Sequence, residues 1–128
     1  PQQIWDLAAY VKALSLPTRE GPTLPPLPKP NNAVPGGNAQ RGAKLVTNNG
    51  CGSCHQIPGI HNATGTVGPP LTGIAGRAVI AGVIPNTPGN MIAWIENPQA
   101  IVPGNAMPNL GLNDHDARDI AAYLATLH

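Results

Sequence analysis

Two cysteines and a histidine within one short segment constrain this chain more than any other feature. The segment reads Cys51-Gly52-Ser53-Cys54-His55, with the two thiols three positions apart and an imidazole directly after the second. At this spacing each thiol can add to a vinyl group of one porphyrin, while the next residue presents a nitrogen to the porphyrin iron. The segment therefore predicts covalent attachment of one c-type haem through Cys51 and Cys54, with His55 as an iron ligand.

Three other interpretations of the cysteine pair compete with haem attachment: a redox-active pair, half of a zinc site, or a buried structural pair. A zinc site needs two more ligands at short spacing, but the chain has no further cysteine, and His61, His115 and His128 follow no zinc-finger pattern. A thioredoxin-like pair needs a preceding strand and a βαβ context, whereas a helical pattern precedes Cys51. These comparisons favour haem attachment.

Composition bears on how such a chain could form a core. The sequence has no Phe, 10% charged residues, 15 Gly and 16 Pro, which is usually associated with a weak core. A buried macrocycle would supply the apolar surface that the side chains lack, so we expect folding to be coupled to the cofactor. The formal net charge is +1 without a cluster of Lys and Arg, which argues against nucleic acid as a partner.

The sequence shows neither an apolar run long enough to span a membrane nor a signal peptide. The thioether attachment of haem is normally completed outside the cytoplasm. We therefore expect a periplasmic location, or one at the outer face of the cytoplasmic membrane. We also expect an upstream portion that carries the export signal and could tether the intact protein to the membrane.

An internal repeat indicates what such an upstream portion contained. Residues 6–14 read DLAAYVKAL and residues 119–127 read DIAAYLATL, a near-identity that is typical of duplicated architecture. We therefore expect residues 1–16 to be the closing helix of a truncated, preceding haem domain. Residues 17–37, rich in proline, are then a semi-rigid linker. The alternative is an N-terminal helix that is native to this domain.

The first helix also predicts an interface, because its apolar residues recur at helical spacing and form one face that should be buried. We expect this face to pack either on residues 38–128 or on a second copy of the chain, which would give a dimer through residues 1–16. The residues of the face are Ile4, Leu7, Ala8, Val11 and Leu14.

Residues 38–128 have the pattern of short helices joined by loops rich in Gly and Pro. Asn38 is the expected cap of a helix that ends near Asn49, at Gly50. Residues 59–76 are expected to form a loop.

Two further helices are expected after this loop. The first should end before a proline, because the residue preceding proline resists the helical conformation. The second should carry a polar cap and an acidic first turn. Their expected bounds are Thr87 or Pro88 to the residues before Pro98, and Asn113 or Asp114 to His128.

Residues 38–128 resemble the class I cytochrome c family. In that family a helix ending in Cys-x-x-Cys-His crosses a C-terminal helix with a small residue at the contact, and Gly42 and Tyr123 are similar to that pair. The family's sixth iron ligand is a methionine on a loop before the final helix, and residues 103–108, PGNAMP, are similar to that loop. The resemblance implies an all-α fold of the class I cytochrome c type, with short helices and Gly/Pro-rich loops around one covalently bound haem.

The residues themselves offer several candidates for the second axial ligand. Met107 lies in a loop bounded by Gly and Pro, with no helical period to bury it, whereas Met91 lies in an expected helix, where a core role is the better interpretation. His61 is too close to His55 along the chain to reach the opposite haem face easily, and His115 is expected to be solvated. Met107 is therefore the predicted ligand, with His61 or an open site as alternatives.

The resemblance implies further haem contacts. Gly68-Pro69 is similar to the family's Gly-Pro loop, in which the proline carbonyl accepts a hydrogen bond from the proximal imidazole. Arg77 and Trp94 resemble the arginine and tryptophan that bind a haem propionate; the alternatives are a surface charge and a core aromatic. The sequence lacks the phenylalanines and the lysine-rich face of mitochondrial relatives, so their docking mode is not expected to transfer.

Two classes of function remain: an electron-transfer module with iron held between His55 and Met107, and a haem enzyme. An enzyme needs an open sixth site with acid and base groups beside it, and the loop around Met107 supplies no Glu, Lys or His except the more distant His115. Electron transfer without catalysis is therefore predicted. The resemblance to di-haem cytochromes c implies redox proteins as partners, with a quinol-oxidising complex or dehydrogenase as donor and a terminal oxidase as acceptor in a bacterial-type respiratory chain.

Overall fold

A computed structural model describes residues 2–14 and 33–128 of the chain. Its described residues form mainly helices, so the all-α prediction is confirmed. None of these helices is both long enough and apolar enough to cross a membrane. In chain order the elements are α1 (Gln2–Leu14), α2 (Ala39–Asn48), a 3-10 turn (Cys51–Ser53), a second 3-10 turn (Ile74–Gly76), β1 (Val79–Ile80), β2 (Ile84–Pro85), α3 (Pro88–Glu96), α4 (Pro98–Ile101) and α5 (Asp114–Leu124).

Local capping sets the bounds of α2 as the sequence predicts. The side chain of Asn38 accepts a hydrogen bond of 2.9 Å from the backbone N–H of Arg41, which satisfies a donor at the helix start. After the helix, Gly50 has a φ of 70°, in the left-handed region that glycine adopts without strain. The chain therefore turns sharply just before Cys51.

The predicted starts of α3 and α5 are also confirmed. Thr87 caps α3 by accepting from the N–H of Asn90 at 3.2 Å, and Asn113 caps α5 by accepting from the N–H of Asp116 at 2.8 Å. The helix α3 ends before Pro98, as expected, and Asn97 then caps the short α4.

Two predictions about bounds are wrong. The last helix does not close at His128 but ends at Leu124, because the carbonyl of Leu127 accepts from the N–H of Ala75 at 3.1 Å and this contact draws the tail out of the helix. The loop expected over 59–76 ends in the second 3-10 turn, since its residues Ile74 and Ala75 are buried in the core. The β1–β2 ribbon, two residues per strand, was not anticipated either.

The helices α2 and α5 cross at Gly42, and this contact organises the core. A Cβ at Gly42 would overlap the carbonyl oxygen of Asp119 and would lie 2.9 Å from the Cβ of Tyr123. Only a glycine permits this approach, so the predicted contact between Gly42 and Tyr123 is confirmed. The larger buried apolar side chains gathered around it are Val46, Ile57, Ile74, Ile80, Met91, Ile92, Ile95, Ile120 and Leu124.

An ionic cluster that the sequence did not reveal reinforces the crossing. The carboxylate of Asp119, only 1% exposed, accepts from the backbone N–H of Asn38 at 2.7 Å and from Nη1 of Arg41 at 2.5 Å. The Arg41 guanidinium also pairs with Asp116 at 2.5 Å. The hydrogen bond from Arg41 lowers the pKa of Asp119, although burial opposes this shift. His115, at the edge of the cluster, has a 70% exposed side chain, as predicted.

The segments before α2 differ in whether they pack on the folded domain. Within residues 33–37, Val34 packs against the core and the carbonyl of Pro35 accepts from Arg118 at 3.3 Å, so the folded unit begins before Asn38. The rest of the expected linker, residues 17–32, lies outside the described residues. The helix α1 exposes its described apolar residues, with Ile4 71% and Leu7 64% exposed. The expectation that this face packs on residues 38–128 is therefore wrong for the single chain, while packing on a second copy stays a prediction.

Candidate functional site

A cavity of about 390 Å³ opens between α2, α3, α5 and the loops that connect them. This volume is within the range of ligand-binding sites in proteins. Most of its wall is apolar, and Arg77 is the single residue with a permanent charge among the described residues that line it. The apolar wall includes Val46, Leu71, Ile80, Ile95, Leu112 and Ile120. The cavity is suited to a large apolar group that carries a small amount of negative charge.

The cysteine segment forms one wall of this cavity. The N–H groups of Cys54 and His55 both donate to the carbonyl of Cys51, at 3.2 and 3.0 Å, and the resulting tight turn brings all three residues to the cavity. The two cysteines form no disulfide with each other. Burial raises the pKa of the Cys51 thiol, whereas a redox-active cysteine pair depends on a lowered one. The environment therefore counts against the redox alternative.

Two glycines allow the backbone around this turn to pack closely. A Cβ at Gly52 would lie 2.7 Å from the Cβ of Ala63, and one at Gly65 would overlap the backbone of Ser53 and Cys54. The N–H of Gly65 donates to the carbonyl of Gly52 at 3.0 Å. Residues 63–65 therefore hold the cysteine turn in place. The only signal of this role in the sequence is that residues 52 and 65 are glycines.

The imidazole of His55 is fixed by the next loop. Its Nδ1 lies 2.7 Å from the carbonyl oxygen of Pro69. Because a carbonyl only accepts, Nδ1 must donate, and the lone pair of Nε2 is left for a metal. Gly68 lies so close that a Cβ would be 2.7 Å from Nδ1 and would overlap Cε1 of the ring. The loop of Gly68 and Pro69 thus sets both the tautomer and the orientation of His55.

Met107 reaches the same cavity from the loop between α4 and α5. Its N–H donates to Oδ1 of Asn105 at 2.7 Å, and its carbonyl accepts from Nε2 of Gln99 at 2.8 Å. Sequence reasoning did not identify either amide, since each contact depends on how the loop folds back on α4. Met91, 7% exposed, belongs to the core as predicted, and it also borders the cavity.

The other candidate ligands lie elsewhere. His61 and His115 are both exposed, and neither is among the residues that line the cavity. Of the ligand candidates considered from the sequence, the structure therefore brings His55 and Met107 together, with Met91 contributing from the core helix.

Arg77 and Trp94 both border the cavity. The Arg77 guanidinium donates from Nη2 to the carbonyls of Pro70 and Thr72, the latter at 3.1 Å, so the backbone of the neighbouring loop holds this charge at the cavity wall. Trp94 is partly buried and packs against the core. An anionic group inside the cavity would have a guanidinium beside it.

These residues fit a haem. Two thiols at the spacing of two vinyl groups, an imidazole with a free Nε2 and a thioether border one apolar cavity of suitable size. An arginine at the wall suits a propionate. The chemistry of the donor set therefore defines a c-type haem site in an all-α domain.

Comparison with known proteins agrees with this class. The family model described as cytochrome c matches residues 39–128, and the chain belongs to the cytochrome c family. It is an electron-transfer haem protein whose cofactor is haem c, which contains iron and is typically present once per domain.

Individual relatives differ in how much of their length the chain matches. It is 37% identical over 91 residues to the cytochrome c oxidase subunit 2 of Alkalihalophilus pseudofirmus, covering 70% of this chain and 25% of that protein. It is 32% identical over 111 residues to the cytochrome c of Theileria parva, covering 76% of this chain and 92% of that protein. The chain thus spans about a quarter of the oxidase subunit but nearly all of the small cytochrome.

Proposed function

We propose that this chain is an electron carrier in which His55 and Met107 are the two axial ligands of the haem iron. The observation that carries the proposal is that these two side chains, from separate loops, border one apolar cavity together with the cysteine pair. An imidazole and a soft thioether on opposite sides of iron favour the ferrous state and a relatively high potential. Such a protein serves as an electron relay, not as a catalyst.

Each residue of the cavity has a role in this proposal. Cys51 and Cys54 form thioether bonds to the haem, and His55 binds iron through Nε2 while the carbonyl of Pro69 holds its ring. Arg77 and Trp94 donate hydrogen bonds to a propionate. The haem, when bound, supplies an iron that alternates between the ferric and ferrous states.

The composition of the cavity wall supports a carrier over an enzyme. Among the described residues that line it there is no Asp, Glu or Lys, so a small substrate would meet no carboxyl or amine for proton transfer. The backbone of Met107 is held on both sides by amide groups. A Met107 thioether bound to the iron would therefore be held by an ordered loop.

Ligation is tested by Met107→Ala, with Met91→Leu as a control that conserves volume in the other methionine of the cavity. The oxidised protein should show the weak long-wavelength absorption of a sulfur–iron bond. Met107→Ala should abolish this absorption, lower the potential and allow imidazole or cyanide to bind, whereas Met91→Leu should leave all three unchanged. A wild type without the absorption, or its loss in Met91→Leu, would refute the assignment.

The surface at the cavity mouth bears on the partners. Within residues 33–128 the exposed large apolar side chains are Val67, Val79, Val83 and Leu110, and three of them, Val67, Val79 and Leu110, border the cavity. We infer that redox partners dock on this apolar surface. The association rate should then fall only weakly with added salt, because an uncharged contact gives little long-range steering. A steep salt dependence would require a charged docking patch.

A respiratory or dehydrogenase chain of the bacterial type is the proposed setting. The donor would be a quinol-oxidising complex or a dehydrogenase, and the acceptor a terminal oxidase; the likeness to an oxidase subunit supports the acceptor. Because haem is normally attached outside the cytoplasm, we place the protein in the periplasm or at the outer face of the cytoplasmic membrane, where a tether could hold the intact protein. Fractionation of cells with an antibody to the chain tests the location.

A further inference from the structure

The side chain of Gln99, in α4, is fully engaged by the loop that carries Met107. Its Nε2 donates to the carbonyls of Asn105 and Met107, at 2.9 and 2.8 Å. Its Oε1 accepts from the N–H of Gly104 at 2.9 Å. The orientation of the amide is unambiguous, because the reverse orientation would place its oxygen against two carbonyl oxygens. One side chain thus binds three points of the loop.

Asn105 completes the arrangement from within the loop. Its Nδ2 donates to the carbonyls of Pro98 and Val102, at 3.1 and 2.6 Å, and its Oδ1 accepts from the N–H of Met107 at 2.7 Å. The N–H and the carbonyl of Met107 are therefore bound by two different amide side chains. We call Gln99 and Asn105 the amide clamp.

We propose that the amide clamp positions Met107, so that its thioether stays directed into the cavity in both oxidation states of the iron. This inference rests on the proposed function, in which Met107 is the sixth ligand. A soft thioether suits ferric iron less well than ferrous iron, so the oxidised state is the one in which the ligand is most readily lost. A loop that is already ordered loses little further freedom when the bond forms, and the clamp therefore counteracts that loss.

The alternative is that these amides only stabilise the fold, as hydrogen-bonded amides often do. Asn86 provides the control, because its Nδ2 likewise donates to two backbone carbonyls, those of Ile74 and Arg77, both at 2.9 Å; it is buried, whereas both residues of the amide clamp are partly buried. Asn86 lies outside the Met107 loop. A purely structural amide and a positioning amide can therefore be compared by the same substitution.

The test compares Gln99→Glu with Asn86→Asp in the haem-loaded protein. Each change keeps the shape of the side chain but removes both donors and places a carboxylate against two carbonyls. Gln99→Glu should bind imidazole about tenfold more tightly in the oxidised state and should show a weakened sulfur–iron absorption. Asn86→Asp should reduce stability to denaturant while its imidazole affinity and absorption remain those of the wild type.

The outcomes separate the inference from the proposed function. Wild-type imidazole affinity in Gln99→Glu, or an equal rise in both variants, overturns the positioning role. Absence of the sulfur–iron absorption from the wild type would refute the ligation itself. Should Gln99→Glu fail to accumulate, Asn105→Ala removes the acceptor that binds the N–H of Met107, and the same tenfold rise is expected.

Discussion

Residues 6–14, in α1, and residues 119–127, most of which lie in α5, form a repeat with five identical positions, but the two helices have opposite surroundings. In α5, Ile120 is 3% exposed and Leu124 is 7% exposed, whereas their counterparts in α1, Leu7 and Val11, are 64% and 55% exposed. Hydrophobic periodicity defines a face that favours burial, but a partner must supply the surface. For α5 that partner is α2, with Gly42 at the crossing.

The two helices also share an aspartate whose contacts differ. Asp119 is buried and accepts hydrogen bonds from Asn38 and Arg41. Asp6 in α1 is exposed and accepts from Nε2 of Gln2 at 3.1 Å. The same residue at the same place in a repeat is therefore part of a buried ionic contact in one copy and a surface polar group in the other.

The largest expected effect concerns Gly42, the glycine of α2 at the crossing with α5. Gly42→Ala should lower the free energy of unfolding by about 3 kcal/mol, because its Cβ would overlap backbone of α5 that cannot move without separating the helices. Gly89→Ala is the control, since Gly89 lies in α3 and a Cβ there meets nothing within 4 Å. Helix propensity alone predicts that both variants gain about 1 kcal/mol, so denaturant titration of the pair distinguishes packing from propensity. Equal gains would show that the crossing tolerates a side chain.

The next effect compares the two aspartates. Asp119→Asn should cost about 2 kcal/mol, because it replaces a carboxylate that accepts from Arg41 with an amide that can turn a donor towards it. Asp6→Asn should change stability by less than about 0.5 kcal/mol, as is usual for exposed sites. Chemical denaturation of both variants, loaded with haem, gives the comparison. A similar loss in both would mean that α1 is packed in solution.

Acid should reduce the difference in free energy of unfolding between Asp119→Asn and the wild type. Arg41 lowers the pKa of Asp119 below its ordinary value of 3.8, so the ionised carboxylate stabilises the fold at all pH values above that value. This contribution is lost as the pH falls through the lowered pKa. The difference in free energy of unfolding should shrink below about pH 4, as the carboxylate of Asp119 is protonated. A difference that changes near neutral pH would implicate another group.

Local signals explain which elements the sequence predicted. Asn38, Thr87 and Asn113 cap helices through contacts three residues away. The sequence within a few residues of each cap is therefore enough to predict its role. The predicted end of α5 was wrong, because the carbonyl of Leu127 accepts a hydrogen bond from the N–H of Ala75, a residue that is distant along the chain. The β ribbon was missed because its turn has Ala81 with a φ of 51°, where Asn or Gly is the usual signal.

In the candidate site, too, local signals predicted some features and contacts between distant residues were missed. Motif spacing and loop context were enough to select Cys51, Cys54, His55 and Met107, and the structure places all four around one cavity. Of the contacts that orient them, the one between the Pro69 carbonyl and His55 was implied by the family resemblance, whereas those made by Gln99 and Arg41 were not accessible. Gln99 meets the Met107 loop only after that loop folds back on α4, and Arg41 meets Asp119 across the two helices, so neither pair leaves a periodic or adjacent signal in the sequence.

The smallest expected effect concerns α1, the helix of this pair whose apolar face is exposed. Deletion of residues 1–32 should leave the visible spectrum and the midpoint potential unchanged, because none of the described residues of α1 lines the cavity. The deletion retains Val34, which packs on the core, and Pro35, whose carbonyl accepts from Arg118. A marked shift in potential would show that the helix belongs to this haem site.

The same deletion tests what covers the face of α1. Contiguous exposed apolar residues of this kind usually mark an interface, and we expect the full chain to associate through residues 1–16 while the shortened chain is monomeric. The charge substitution Leu7→Glu should act like the deletion, whereas Gln3→Glu, an exposed residue that is not among those of the apolar face, should leave association unchanged. Sedimentation over a range of concentrations measures all four proteins. If the full chain is monomeric at every concentration, the predicted dimer through residues 1–16 is wrong.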